Sequence, residues 1–346
     1  MSDLFRVGLV HEAFGDPGLY VDFRDEKRAL LFDLGDLSPL APRQLLRVSH
    51  AFVTHNHMDH FAGFDGWLRV ILGRKDRITL IGGPGFVDQV EHKLRAYTWN
   101  VVHRYEVPLV IAVREVDGRG GAREASFSSL EKFERREGDS FTLEGDVLHD
   151  EATFRVRGRI VDHEMPCLAF ALEEKARLNV ARDRVEALGV TPGPWLRTLK
   201  QALLAGAADA TPIDLRWRDR EGEHAATRTV GELRHVILDV VSGRHIGYAT
   251  DLRFTRPNVE ALQALFAGVD TLYIESVFLD EDGDHAARKN HLTARQAGTI
   301  ARLAGARSLV PFHFSPRYEG RESELVAEAR SAWRVRQVQD GPAAPG

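Results

Sequence analysis

The sequence predicts a layered α/β fold. Two observations carry the prediction: short apolar runs rich in β-branched residues recur along the whole chain, and several stretches between them space their apolar residues every three or four positions. A third is that no repeat period and no long linker interrupts the alternation, which points to one domain over residues 1–340.

In chain order, the strand candidates are Leu30–Phe32, Ala51–Thr54, Ile78–Ile81, Leu109–Val113, Phe154–Val161 and Leu168–Leu172. Val236–Val241, His245–Thr250, Thr271–Ile274 and Ser308–Phe312 follow. Helical spacing runs over Asn258–Phe266, over Thr293–Ala304 with Thr293 as N-cap, and over Glu322–Arg334. Two segments break the pattern. Arg114–Gly138 is charged and Gly/Ser-rich and reads as a surface loop. Residues 175–214 read as an inserted helical arm interrupted by Thr191-Pro192-Gly193-Pro194. Within Lys175–Leu203 six basic residues face two acidic ones, a local excess of +4. Residues 341–346, rich in Pro and Gly, are expected to be disordered.

Composition narrows the classes of function. The chain has 346 residues, 43% hydrophobic and 28% charged, which is ordinary globular composition. Its net charge of −5 disfavours a general electrostatic nucleic-acid binder while leaving room for a local basic patch. The single cysteine, Cys167, excludes a disulfide framework and a cysteine-rich zinc module. The start lacks a basic segment leading into an apolar one, and no apolar run approaches membrane-spanning length. A cytoplasmic protein with no membrane association is the expectation.

Fifteen histidines stand out, several at ligand spacing. Thr54-His55-Asn56-His57-Met58-Asp59-His60 follows the apolar run at Ala51 and precedes a helix. In extended chain, residues two apart point the same way, so His55 and His57 can meet one cation. At the turn into the helix, Asp59 and His60 swing towards a second position. Imidazoles and carboxylates without thiolates suit borderline metal ions. Three further candidates end or follow apolar runs: His163, Asp251 and His313. Residues at strand ends converge on one rim of a sheet, where α/β folds place their sites. Gly82-Gly83-Pro84-Gly85-Phe86 lacks the Gly-Lys-Ser/Thr of a phosphate loop and reads as a strand-to-helix turn. Cys167, opening an apolar run, reads as packing.

His55-Asn56-His57-Met58-Asp59-His60 resembles the signature of the metallo-β-lactamase superfamily. Later segments are similar to one branch, ribonuclease Z, the endonuclease that trims precursor tRNA 3′ ends. They are Gly189-Val190-Thr191-Pro192-Gly193-Pro194-Trp195-Leu196 with Lys200, Gly247-Tyr248-Ala249-Thr250-Asp251, Asn290-His291-Leu292-Thr293 and His313-Phe314-Ser315-Pro316-Arg317-Tyr318. The resemblance implies an αββα sandwich of the metallo-β-lactamase type with a protruding tRNA-binding arm. It implies two Zn²⁺, with Mn²⁺ as an alternative. His55, His57 and His163 would hold one ion, Asp59, His60 and His313 the other, and Asp251 would bridge. Zinc lowers the pKa of bound water towards about 7 and so supplies a nucleophile. His291 would donate the proton to the leaving 3′ oxygen, Glu275 would orient it, and Asp59 would act at the reacting centre. Arg317, Lys200 and Arg197 are the substrate-binding candidates, and Trp195 the candidate aromatic contact with RNA. A homodimer is carried over from the same resemblance.

The chain departs from the branch pattern in three places. Phe5–Gly18 lacks the Gly-rich turn and basic loop that usually open it, Leu292 stands in place of serine, and Ile274 in place of histidine. An alternative reading therefore keeps the metal centre and gives it a small phosphodiester or other ester, such as a cyclic nucleotide or lactone. A third, a metal-stabilised RNA-binding protein without catalysis, sits poorly with a complete ligand set.

Overall fold

The computed structural model describes residues 4–175, 177–180, 182–204, 206–218, 222–241 and 243–335; the tail at 341–346 lies outside them. The chain forms two compact units, Met1–Glu173 with Arg244–Gly346, and Glu174–Gly243.

The larger unit is built on two sheets. The first takes its eight strands in chain order: β1 (Phe5–Leu9), β2 (Leu19–Phe23), β3 (Ala29–Phe32), β4 (Val48–Phe52), β5 (Arg77–Gly82), β6 (Val110–Val116), β7 (Gly121–Ser128) and β8 (Arg135–Thr142). β3 to β6 run parallel and the flanking pairs antiparallel. The second sheet begins with β9 (Val147–Asp150), β10 (Phe154–Asp162) and β11 (Pro166–Glu174). The chain then builds the smaller unit with β12 (Arg177–Val180), β13 (Pro212–Arg218), β14 (Glu223–Thr229) and β15 (Leu238–Val241). It returns to the second sheet as β16 (His245–Ala249), β17 (Thr271–Glu275) and β18 (Leu309–Phe312), in spatial order β18-β17-β16-β11-β10-β9.

Side-chain alternation makes the layers. On β3, Leu30 and Phe32 enter the core between the sheets while Leu31 faces the opposite way. On β11, Leu168, Phe170 and Leu172 share that central core, and Cys167, Ala169 and Ala171 face outward. Because successive strand side chains point to opposite faces, both sheets need a cover on their outer side. Helices Phe64–Ile71 and Phe86–Arg95 supply it for the first sheet, and Arg256–Leu265, Ala294–Leu303 and Glu322–Arg334 for the second. The result is the αββα order expected. Phe32 stacks on Phe52 at 5.0 Å and lies 5.5 Å from Phe170 across the sandwich.

The smaller unit has its own core of Val185, Trp195, Leu199, Ile213, Leu215, Val230, Leu233 and Ile237. The expected arm at 175–214 lies inside this unit, which runs on to Gly243. Helices Arg182–Ala187 and Trp195–Leu204 flank the Pro-Gly-Pro break, and β13 and β14 form a hairpin.

Three expectations need correction. The segment Arg114–Gly138 is not a surface loop: it holds the end of β6, all of β7 and the start of β8, with Gly118–Gly121 as the hairpin tip. Val236–Val241 is a strand only from Leu238, because the helix Val230–Ile237 takes its beginning; an apolar run reads alike in buried helix and strand. Trp195, the candidate RNA contact, is buried, and its Nε1–H donates to the Thr191 carbonyl at 3.1 Å. An indole packed in a core and satisfied by the backbone has no face left for a base.

Candidate metal centre

Five strand ends of the larger unit deliver the site. The chain after β4 carries Thr54 to His57 and turns into the helix Met58–Phe61, which presents Asp59 and His60. His163 follows β10, Asp251 follows β16, Glu275 ends β17 and His313 follows β18. Asp33, just after β3, lies beneath them. Asp33, Asp251 and His313 have φ of 61°, 55° and 59°, a left-handed conformation that costs a non-glycine residue free energy and clusters at functional sites. Room for the turn at Asp59 is made by glycine: a Cβ on Gly35 would lie 2.2 Å from the Asp59 carbonyl oxygen.

All seven sequence-predicted ligands come together. Ligand atoms of His55, His57, His163 and Asp251 lie within 4.8 Å of one another, as do those of Asp59, His60 and His313. Asp251 faces both groups. Its Oδ2 is 3.7 Å from His55 Nε2 and 3.5 Å from His163 Nε2, while its Oδ1 is 3.4 Å from His60 Nε2 and 3.2 Å from His313 Nδ1. Asp59 Oδ2 lies 3.4 Å from His60 Nε2 and 3.6 Å from His313 Nε2.

The outer nitrogens are tied down. His60 Nδ1–H donates to Asp33 Oδ2 at 3.0 Å, and His163 Nδ1–H donates to the Asn290 carbonyl at 2.9 Å. Such bonds fix the tautomer and leave Nε2 bare towards the centre. Asp33 is itself held by the Thr54 amide at 2.7 Å and the Tyr248 hydroxyl at 2.9 Å.

The residues fit a pair of divalent cations on two grounds. His55 Nε2 and His60 Nε2 are buried and make no hydrogen bond, although buried nitrogens almost always find a partner. Asp33, Asp251 and Glu275 are buried carboxylates whose partners are histidine, threonine, tyrosine and backbone groups, so the charge they call for must come from imidazolium or metal. Burial, with the His60 charge behind it, pushes His55 down to about 3. For His60 burial pushes the same way, but the Asp251 and Asp33 carboxylates outweigh it and raise the ring well above its ordinary value.

Beside the cluster, His291 Nδ1–H donates to Glu275 Oε2 at 2.7 Å. Glu275 is fixed further by the amides of Leu252 at 3.0 Å and Leu292 at 3.1 Å. Burial lowers the His291 pKa, and the Glu275 charge and hydrogen bond more than offset it, leaving it raised. At two of the three departures, Ile274 packs in the outer core and Leu292 is buried while its amide serves Glu275. Ligand atoms of Asp251, Glu275, His291 and His313 also lie within 4.8 Å of one another. A cleft of about 370 Å³ borders the cluster, lined by Phe14, Phe278, Lys289, His291, His313 and Arg317. Arg197 and Lys200 are exposed on the helix Trp195–Leu204 of the smaller unit.

No family model matches the chain. Curated relatives do. Ribonuclease Z of Deinococcus radiodurans is 34% identical over 309 residues, covering 88% of this chain and 87% of that protein. This chain belongs to the ribonuclease Z family. The family's Myxococcus xanthus member is 30% identical over 321 residues, 88% of this chain and 83% of its own. Among solved structures, the short form of human tRNase Z aligns with a TM-score of 0.50 at 18% identity, over 90% of this chain and 93% of that one. The metallo-β-lactamase fold protein YhfI of Bacillus subtilis aligns at 0.54 and 13%, over 96% and 95%. Ribonuclease Z membership makes the chain a metal-dependent hydrolase on the metallo-β-lactamase fold. Asp33, which holds His60, escaped the reading of the sequence; its signal was an aspartate closing the run Leu30-Leu31-Phe32, the same signal that marked Asp251.

Proposed function

We propose that the protein is a dinuclear zinc endoribonuclease that removes 3′ trailers from precursor tRNA. The observation that carries the reading is Asp251 with one carboxylate oxygen towards His55 and His163 and the other towards His60 and His313. His55, His57 and His163 would hold one ion, Asp59, His60 and His313 the second, with Asp251 between. Two divalent ions bound there would supply a nucleophile at neutral pH and neutralise charge that develops on a phosphodiester.

The chain's own groups do the rest. Asp33 and the Asn290 carbonyl hold the rings of His60 and His163 through Nδ1, so that Nε2 of each is turned to the centre. Glu275 keeps His291 protonated through Nδ1, so its Nε2–H can be given to the departing 3′ oxygen. Glu275 is in turn immobilised by two backbone amides, which lowers the reorganisation needed when the proton moves. Arg317 lines the bordering cleft and would meet substrate phosphate. Arg197 and Lys200 belong to the arm and would contact RNA. Cytoplasmic location and a homodimer complete the reading, and light scattering on the purified protein checks the latter.

The test offers the purified protein a precursor tRNA with a 3′ trailer and a generic aryl phosphodiester, each with and without chelator. Chelator-sensitive cleavage of both substrates is expected. The N-terminal departure favours a second reading, a hydrolase of small phosphodiesters; turnover of the aryl substrate with tRNA left intact would establish it instead.

A further inference from the structure

Away from the centre described above, a second set of ligand-type side chains lies between the two sheets. His50 stands at the middle of β4 of the first sheet, on the strand that feeds the His55–His60 segment. His149 stands on β9 of the second sheet, and Glu151 directly follows that strand. Ligand atoms of the three lie within 4.8 Å of one another, and the imidazole rings are 4.4 Å apart at 49°.

We propose that His50, His149 and Glu151 form an additional binding site for a borderline divalent cation such as Zn²⁺, joining the first sheet to the second. Two imidazoles and a carboxylate with an open fourth position are a donor set that zinc accepts. His50 is oriented for the role, its Nδ1 lying 2.9 Å from Ser49 Oγ. Burial first, and the His149 ring second, hold His50 in the neutral form that can bind metal.

The site has an internal competitor. Arg28 Nη1 donates to both oxygens of Glu151, at 3.0 and 2.8 Å, and His149 Nε2 lies 2.8 Å from Glu151 Oε1. Without the ion, Arg28 supplies the charge that Glu151 needs. An entering cation would take over the carboxylate and displace the guanidinium, which also rests over the Phe23 and Phe154 rings at 4.6 and 5.2 Å. Arg28 therefore sets the affinity from outside the ligand set. This separates a metal site from a salt-bridged histidine pair, because removing the arginine weakens the pair and strengthens the site.

The test uses the full-length holoprotein, already saturated at its catalytic centre, titrated with zinc alone by calorimetry. One further equivalent is expected to bind to the wild type. His149→Ala and Glu151→Gln should weaken that event at least tenfold, and Arg28→Gln should tighten it about tenfold, with turnover of an aryl phosphodiester unchanged in all three. Arg28→Gln retains all three ligands, so it stays informative if His149→Ala folds poorly. A wild type that takes up no further zinc, or an Arg28→Gln protein that binds it no more tightly, overturns the proposal.

Discussion

Asp33 shows how much of a candidate metal centre rests on a side chain outside the proposed ligand set. Its carboxylate accepts from the Thr54 amide, the Thr54 and Tyr248 hydroxyls and His60 Nδ1–H. Asp33→Asn keeps the volume and removes the charge that fixes the His60 ring. Partners of this kind are worth about 10–100-fold in metal affinity. The variant should remain folded by circular dichroism and lose zinc about 10–100-fold more readily in competition with a chelator. Asp251 and His291 should separate in the same assay. Asp251→Ala should loosen both metals and abolish cleavage, since each group of histidines loses the carboxylate it shares. His291→Ala should retain both metals and turn over about 10²–10⁴-fold more slowly, as befits a lost proton donor. Zinc loss from His291→Ala would instead make it a ligand, a geometry its place beside Asp251, Glu275 and His313 allows. At this scale the clustered histidines of the candidate centre were legible because histidine two residues from histidine at a strand end has few other uses. Asp33 was not, because a lone aspartate after a strand is common.

Elements were legible where one face is apolar. Thr293 was read as an N-cap, and its hydroxyl accepts from the Gln296 amide at 3.2 Å while Gln296 Oε1 accepts from the Thr293 amide at 2.9 Å. This reciprocal cap begins the helix two residues after His291. Thr293→Ala should cost about 1 kcal/mol in urea unfolding, the usual worth of such a cap. β7 and β8 were illegible for a physical reason. β8 is an edge strand, half-buried at Arg135 and exposed along the rest of its length, so hydrophobicity leaves no alternation to find, and β7 buries Ala122, Ala125 and Phe127 but no β-branched residue. Beyond that edge, arginine replaces apolar packing. Arg157 forks onto Asp146 at 2.7 and 2.7 Å and reaches Glu173 at 2.8 Å, and Arg155 binds Glu173 at 2.6 Å. The hydrogen bond from Arg157 holds the Asp146 carboxyl below its ordinary value, against the opposing effect of burial. A carboxyl depressed in the folded state binds fewer protons there than when unfolded, so its stabilisation is complete above about pH 4 and fades as pH falls further. The gap in urea midpoint between the wild type and Asp146→Asn should be largest at neutral pH and shrink below pH 4. A gap independent of pH would assign the loss to packing instead.

For the molecule as a whole, patterning showed a layered α/β fold and the resemblance implied its αββα order, while the extent of the inserted unit was not legible. The arm was read as 175–214 from its basic charge and its Pro-Gly-Pro break, yet the unit continues through a hairpin and the helix Val230–Ile237 to Gly243. Charge marks a surface, but a unit is bounded by its core, and Ile213, Leu215, Val230, Leu233 and Ile237 complete the core begun by Val185, Trp195 and Leu199. Removing only Lys175–Leu203 would strand those partners and invite misfolding. The chain leaves and re-enters at one point: a Cβ on Gly243 would lie 1.7 Å from the Glu174 carbonyl oxygen, and Glu173 pairs with His245 in antiparallel register. Excising 174–244 and joining Glu173 to His245 through Asn-Gly gives β11 and β16, which pair at those two residues, the two-residue turn that antiparallel strands favour. Every proposed metal ligand lies outside the excised unit. The shortened protein should keep its zinc and its aryl phosphodiesterase activity and lose most cleavage of precursor tRNA, because a large RNA needs contacts away from the cut and a small ester does not. Equal losses on the two substrates, with zinc retained, would deny the unit a role in binding RNA.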